Sequence, residues 1–154
     1  MALSKNDYIF NNITNKRVTA WGSTLPLFTF TLDAVIIRIY IVVNSVTSVS
    51  GLTNSRFIIT DSEGNLITNI TTASNLSGIL QNDIVTVQGN TYSTMGTGSV
   101  ANLLRNSVIY PIYTNLNVDS KIIKFTSDGG FTADLNFRII WRPLETEAKI
   151  SEYV

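Results

Sequence analysis

Over residues 131–142 apolar and polar side chains alternate without a break. Phe131, Ala133, Leu135, Phe137, Ile139 and Trp141 fall on one face, and Thr132, Asp134, Asn136, Arg138, Ile140 and Arg142 on the other. A period of two is the spacing of a strand with one dry face. Residues 121–126 are also strand-like, and Asp128-Gly129-Gly130 between the two runs predicts a tight hairpin using positive-φ positions. Residues 56–60 and 66–70 flank Asp61-Ser62-Glu63-Gly64-Asn65, a second predicted hairpin. Phe28, Phe30 and Leu32 alternate with Thr29 and Thr31. The run over residues 35–43 differs, because Val35, Ile37, Ile39, Ile41 and Val43 lie on one side and Ile36, Tyr40 and Val42 on the other, interrupted only by Arg38. A sandwich strand ordinarily wets its outer face; this one is expected to be covered twice. Residues 84–88 and 108–113 bring the total to about seven or eight strands, with Pro111 assigning the latter to a sheet edge.

Two stretches do not read as strand: residues 74–80 predict a single helical turn and residues 99–105 a short helix. Residues 89–98 between them read as a polar loop. With no repeat of solenoid period and no linker, the pattern predicts an all-β, single-domain antiparallel β-sandwich of jelly-roll type over residues 21–154. Residues 1–20 alternate poorly and are expected to form an N-terminal arm. This arm still carries Tyr8, Ile9, Phe10 and Ile13. Leaving such side chains exposed is unfavourable by roughly 1.5 to 3 kcal/mol each relative to burial, so the arm is expected to anchor on a neighbouring subunit or a larger particle. The alternative is an extra edge strand packed on its own domain.

Composition sharpens this picture. Of 154 residues 44% are hydrophobic, only 14% are charged, and the formal net charge is +0; roughly 25% charged is usual. A neutral chain with an apolar outer strand face at Ile36, Tyr40 and Val42 is expected to bury that face in a homo-oligomer. The absence of His and Cys excludes disulfides, zinc sites of ordinary type, and Ser/His/Asp or Cys/His catalysis. No cofactor is expected. Balanced charge argues against nucleic-acid binding, which needs a basic face to displace counterions. The most apolar run, residues 35–43, contains Arg38 and falls far short of the roughly 20 residues that span a bilayer, so no membrane anchoring is expected. Residues 1–12 hold no apolar stretch of signal-peptide type.

Each candidate for chemistry has a plainer structural reading. Gly96, Gly98 and Ala101 match the G-x-G-x-x-A spacing, but that fingerprint works only where a buried parallel strand feeds a helix. The turn Asp61-Ser62-Glu63-Gly64-Asn65 clusters oxygen ligands, yet its Gly falls fourth and not sixth as a calcium loop needs. Asp61 and Asp128 each sit at a turn and Asp33 between two strands, local structural roles that argue against paired catalytic carboxylates. The glycosylation sequons at Asn12, Asn69 and Asn75 are as many as a chain rich in Asn, Ser and Thr contains by chance. Trp141 falls on the dry face and reads as core, whereas Trp21 and Tyr92 are candidate glycan contacts. Arg138 and Arg142 share a strand face and are expected to meet carboxylates or a neighbouring subunit.

Leu32-Asp33-Ala34-Val35-Ile36-Ile37, the hairpin near residues 61–65, the segment from Ile122 through Asp128-Gly129-Gly130 to Ala133, and Arg138-Ile139-Ile140-Trp141-Arg142-Pro143-Leu144 together resemble the small jelly-roll virion proteins of tailed bacteriophages. The resemblance covers roughly residues 28–144. It implies a noncatalytic structural role as a head fibre, capsid decoration or tail component, often trimeric, made in the host cytoplasm and ending in the virion beside other virion proteins. A carbohydrate-binding module or adhesin on a host-surface glycan is the alternative, and an enzyme comes third.

Overall fold

The computed structural model describes residues 12–31, 34–88, 94–98, 112–113, 120–143 and 147–154. Those residues form eleven strands and no helix: β1 (Asn12–Trp21), β2 (Thr24–Thr31), β3 (Ala34–Ser48), β4 (Arg56–Asp61), β5 (Leu66–Asn69), β6 (Ile84–Gln88), β7 (Thr94–Gly98), β8 (Ile112–Tyr113), β9 (Ser120–Thr126), β10 (Phe131–Pro143) and β11 (Lys149–Glu152). A first sheet runs β1-β10-β3-β6-β7, with β8 also paired to β3, and a second runs β11-β2-β9-β4-β5. Every pairing is antiparallel, so the all-β sandwich expected from alternation is the architecture found.

The alternation in β10 translates directly into burial. Phe131, Ala133, Leu135, Phe137, Ile139 and Trp141 are all buried, while the intervening positions are half-buried or exposed. Phe137 of the first sheet meets Phe57 and Phe125 of the second, with ring centroids 6.3 and 5.4 Å away and tilted or edge-on planes. Such ring pairs add about 0.5 to 1.5 kcal/mol each beyond their buried area. Leu25, Leu27, Ile59 and Ile123 complete this centre.

Four expectations are corrected. The segment around Asp128-Gly129-Gly130 is not a hairpin: β9 pairs with β2 and β4 in the second sheet, β10 with β1 and β3 in the first, and residues 127–130 arch between the layers. Residues 12–20 are not an arm but most of β1, an edge strand in register with β10 from Asn12 opposite Trp141 to Trp21 opposite Phe131. The polar loop over residues 89–98 is interrupted by β7, which pairs with β6 from Gln88 opposite Thr94 to Ile84 opposite Gly98. Residues 74–80 contain no helical turn. There Asn75 Oδ1 accepts hydrogen bonds from the backbone N and the hydroxyl of Ser77, and Leu76 and Ile79 enter the core. The hairpin of β4 and β5 is found as expected. The segment 99–105 lies outside the described residues.

Candidate functional site

The surface that gathers most of the expected interface residues is the outer face of the first sheet. Register places side chains there in rows across the strands. Ile13 lies opposite Ile140, which lies opposite Arg38; Asn15, Arg138, Tyr40 and Thr86 form the next row; Arg17, Asn136, Val42 and Ile84 form the third. Tyr40 and Val42 therefore stand on the outer face, as their spacing predicts, though both are half-buried and not bare. Ile36 does not join them. Residues 37, 44 and 47 of β3 have no partner on β10, and each unpaired residue is a bulge that shifts the side-chain phase. The bulge at residue 37 turns Ile36 into the core with Ile39, Ile41 and Val43, at 0% exposure.

Ile13, expected on a detached arm, is 59% exposed at the β1 edge of this same face. Tyr8, Ile9 and Phe10 lie outside the described residues, as does Tyr92. Trp21, at the far end of β1, is 45% exposed, and its indole Nε1 donates to the Thr24 carbonyl at 2.6 Å. That bond consumes the ring's only donor, leaving an aromatic face without a polar handle.

Polar groups on the outer face divide into satisfied and unsatisfied. Arg17 makes a forked pair with Asp134, Nε to Oδ1 at 2.8 Å and Nη2 to Oδ2 at 2.7 Å, and Asn44 adds a longer bond at 3.4 Å. The hydrogen bonds from Arg17 hold the Asp134 carboxyl below the usual range, and the same pair raises the guanidinium. In contrast Arg138 Nε, Asn136 Oδ1 and Thr86 Oγ1 are shut away from solvent without partners. Arg138 instead lies 5.8 Å from the Tyr40 ring centroid, a cation–π distance. Leaving a buried polar group unmatched costs about 1 to 3 kcal/mol. The three groups, two on β10 and one on β6 with β3 between them, leave the hydrogen bonding of this face incomplete within the described residues. Sequence reading missed Ile84, Thr86 and Asn136, because only strand register shows which outward positions become neighbours.

The remaining candidates have local roles. Asp61 Oδ1 accepts from the backbone N of Glu63 and Asn65, and Oδ2 from the Asn65 amide; these bonds hold its carboxyl below the usual range, the Asn65 side chain contributing most. Asp128 accepts from Thr53 and Asn54. Trp141 is core at 6% exposure, with Nε1 donating to Thr14 Oγ1 at 3.0 Å. Gly96 and Gly98 lie within strand β7, so no described helix begins at the glycine fingerprint. Among the described residues no three His, Cys, Asp or Glu side chains converge as metal ligands, and no helix is long and apolar enough to cross a membrane. Comparison of the chain with family models, with curated proteins and with solved structures finds no match.

Proposed function

We propose that the protein is a noncatalytic virion structural component, of head-fibre or auxiliary capsid type, that assembles as a homotrimer through the outer face of its first sheet. The observation that carries this reading is the juxtaposition of Ile13, Ile140, Tyr40, Val42 and Ile84, all exposed or half-buried, on one sheet face. A second copy covers the apolar side chains left exposed or half-buried there, and closed symmetry removes the β1 edge from solvent. Low charge suits such contact, since interface cores are depleted in charged side chains. Strand order supports the jelly-roll reading: β1-β10-β3-β6 facing β2-β9-β4-β5 is the order that two nested Greek keys produce. That topology agrees with the virion-protein resemblance, and the place of action is accordingly the virion, beside other virion proteins.

Sedimentation of the purified chain at micromolar concentration tests the assembly. A trimer is expected, and Ile13→Asp together with Val42→Lys should convert it to a folded monomer. A wild-type monomer overturns the proposal.

A further inference from the structure

Away from that face, at the β4–β5 edge of the second sheet, lies an open pocket of about 330 Å³ lined by Arg56, Leu66, Asn69, Thr71, Thr72 and Ala73. Its origin is a mismatch in chain length. After β5 the chain returns along β4, where the backbone N of Ile70 and of Thr71 both donate to the Phe57 carbonyl, Thr71 Oγ1 accepts from Phe57 N, and Ser74 pairs with Ser55. Between these anchor points Thr72 and Ala73 stand against Arg56 alone, so the ladder cannot continue and space opens beside the arginine.

Arg56 is half-buried, and its Nε is closed off from solvent without a hydrogen-bond partner. The ion pair found among the described residues lies elsewhere, between Arg17 and Asp134. Among the described residues no hydrogen bond takes up the other two guanidinium nitrogens, Nη1 and Nη2, whose parallel N–H groups are matched by a planar carboxylate. The rest of the lining narrows the ligand further. Leu66, 58% exposed, offers an apolar wall, while Asn69 and Thr72 offer an amide and a hydroxyl. One cation among neutral walls suits a single negative charge and not a phosphate dianion. An apolar surface edged with small hydrogen-bonding groups suits a sugar ring, and the volume is at the small end for ligand pockets.

From this pocket we infer a binding site for a carboxylated sugar, a uronic or sialic acid residue, with Arg56 holding the carboxylate and Asn69 and Thr72 the ring hydroxyls. The site is independent of the assembly surface, since it lies on the other sheet.

Isothermal titration of the full chain with methyl β-glucuronide and with the methyl glycoside of N-acetylneuraminic acid tests it, alongside methyl β-glucoside, acetate and inorganic phosphate. At least one sugar acid should bind with Kd near or below about 1 mM, and the neutral glucoside should not. Arg56→Gln should weaken binding by about tenfold, and Arg56→Lys should not restore it, because an ammonium lacks the fork. Asn69→Ala, at an exposed edge position, should weaken it by about threefold with unchanged melting; this variant keeps the test valid should Arg56→Gln fail to fold. Failure of both sugar acids to bind overturns the inference, as does undiminished binding in the folded variants. Acetate or phosphate binding as tightly as the sugar acids would reduce the pocket to a simple anion site and overturn it equally.

Discussion

Two turns with similar residues behave in opposite ways. Residues 61–65 (DSEGN) join β4 to β5 inside one sheet, whereas residues 127–130 (SDGG) carry the chain from the second sheet to the first. In the former, Asp61 binds its own loop and Gly64 takes a φ of 92°, the left-handed region that disfavours a Cβ. In the latter, neither Gly129 nor Gly130 has positive φ. These glycines are needed because backbones touch: a Cβ on Gly130 would lie 2.5 Å from the Trp21 carbonyl oxygen, and one on Gly51 would lie 2.3 Å from that of Gly130. Asp128 likewise reaches across the molecule, to Thr53 and Asn54. Glycine and aspartate thus serve conformation in one turn and long-range docking in the other, from nearly the same sequence.

The largest test of that contrast is Gly51→Ala. Overlap with the backbone of residues 129–130 has no flexible side chain to yield, so unfolding free energy should fall by about 2 to 4 kcal/mol, read from urea denaturation. Gly130→Ala should follow closely. A loss under about 1 kcal/mol in both would mean that the arch is not tightly docked. Next comes Asp128→Ala, which removes two surface hydrogen bonds to a carboxylate and should cost about 1 kcal/mol. Gly64→Ala should cost about 1 kcal/mol from backbone strain alone, since the nearest other atom to its Cβ would be Lys124 Nζ at 4.0 Å. A Gly64→Ala loss exceeding that of Gly51→Ala would reverse the comparison.

The smallest effect is electrostatic. The Asp61 carboxyl, and the Asp134 carboxyl beside Arg17, titrate below their unfolded range. The unfolded chain therefore takes up protons first as pH falls. Their stabilisation is complete above the unfolded carboxylate value near 3.9 and is lost as pH drops through the lower folded values. Both carboxylates are half-buried at the surface and within reach of solvent, which screens the effect. Asp61→Asn should flatten the acid limb of the melting-temperature profile slightly and leave the neutral region nearly unchanged; an unaltered acid limb would remove Asp61 from the account.

These turns also show what could be read in advance. In β10 the buried face follows from alternation, because the strand lies between two neighbours and its inner side chains are uniformly apolar. The β4–β5 hairpin is equally legible, since its pairing is local. The arch is not: two extended runs and a glycine turn look alike whether the chain folds back in one sheet or crosses to another. The β1 strand is hidden for a different reason. Its inward side at the edge includes Thr14 and Lys16, satisfied by the carbonyls of Ile150 and Tyr153 at 3.0 and 2.6 Å, so no apolar period marks it. Ile36 is misplaced by any strict two-residue count because a bulge intervenes. The Arg56 pocket has no linear signature, as it depends on Ser55–Phe57 meeting Thr71–Ser74.

The strand order fixes when the molecule can become complete. In both sheets a strand from the last third of the chain lies between two early ones: β10 separates β1 from β3, and β9 separates β2 from β4. During synthesis, at about 5 to 20 residues per second, the first three strands emerge with neither of these central partners yet made. They spend several seconds as unpaired edges, the condition that favours mispairing and aggregation. Refolding from denaturant faces the same delay in another form, because long loops must close before either sheet gains its middle. Slow, concentration-sensitive refolding is the expected signature, with amide protection in β1 appearing together with that in β10 and not before it.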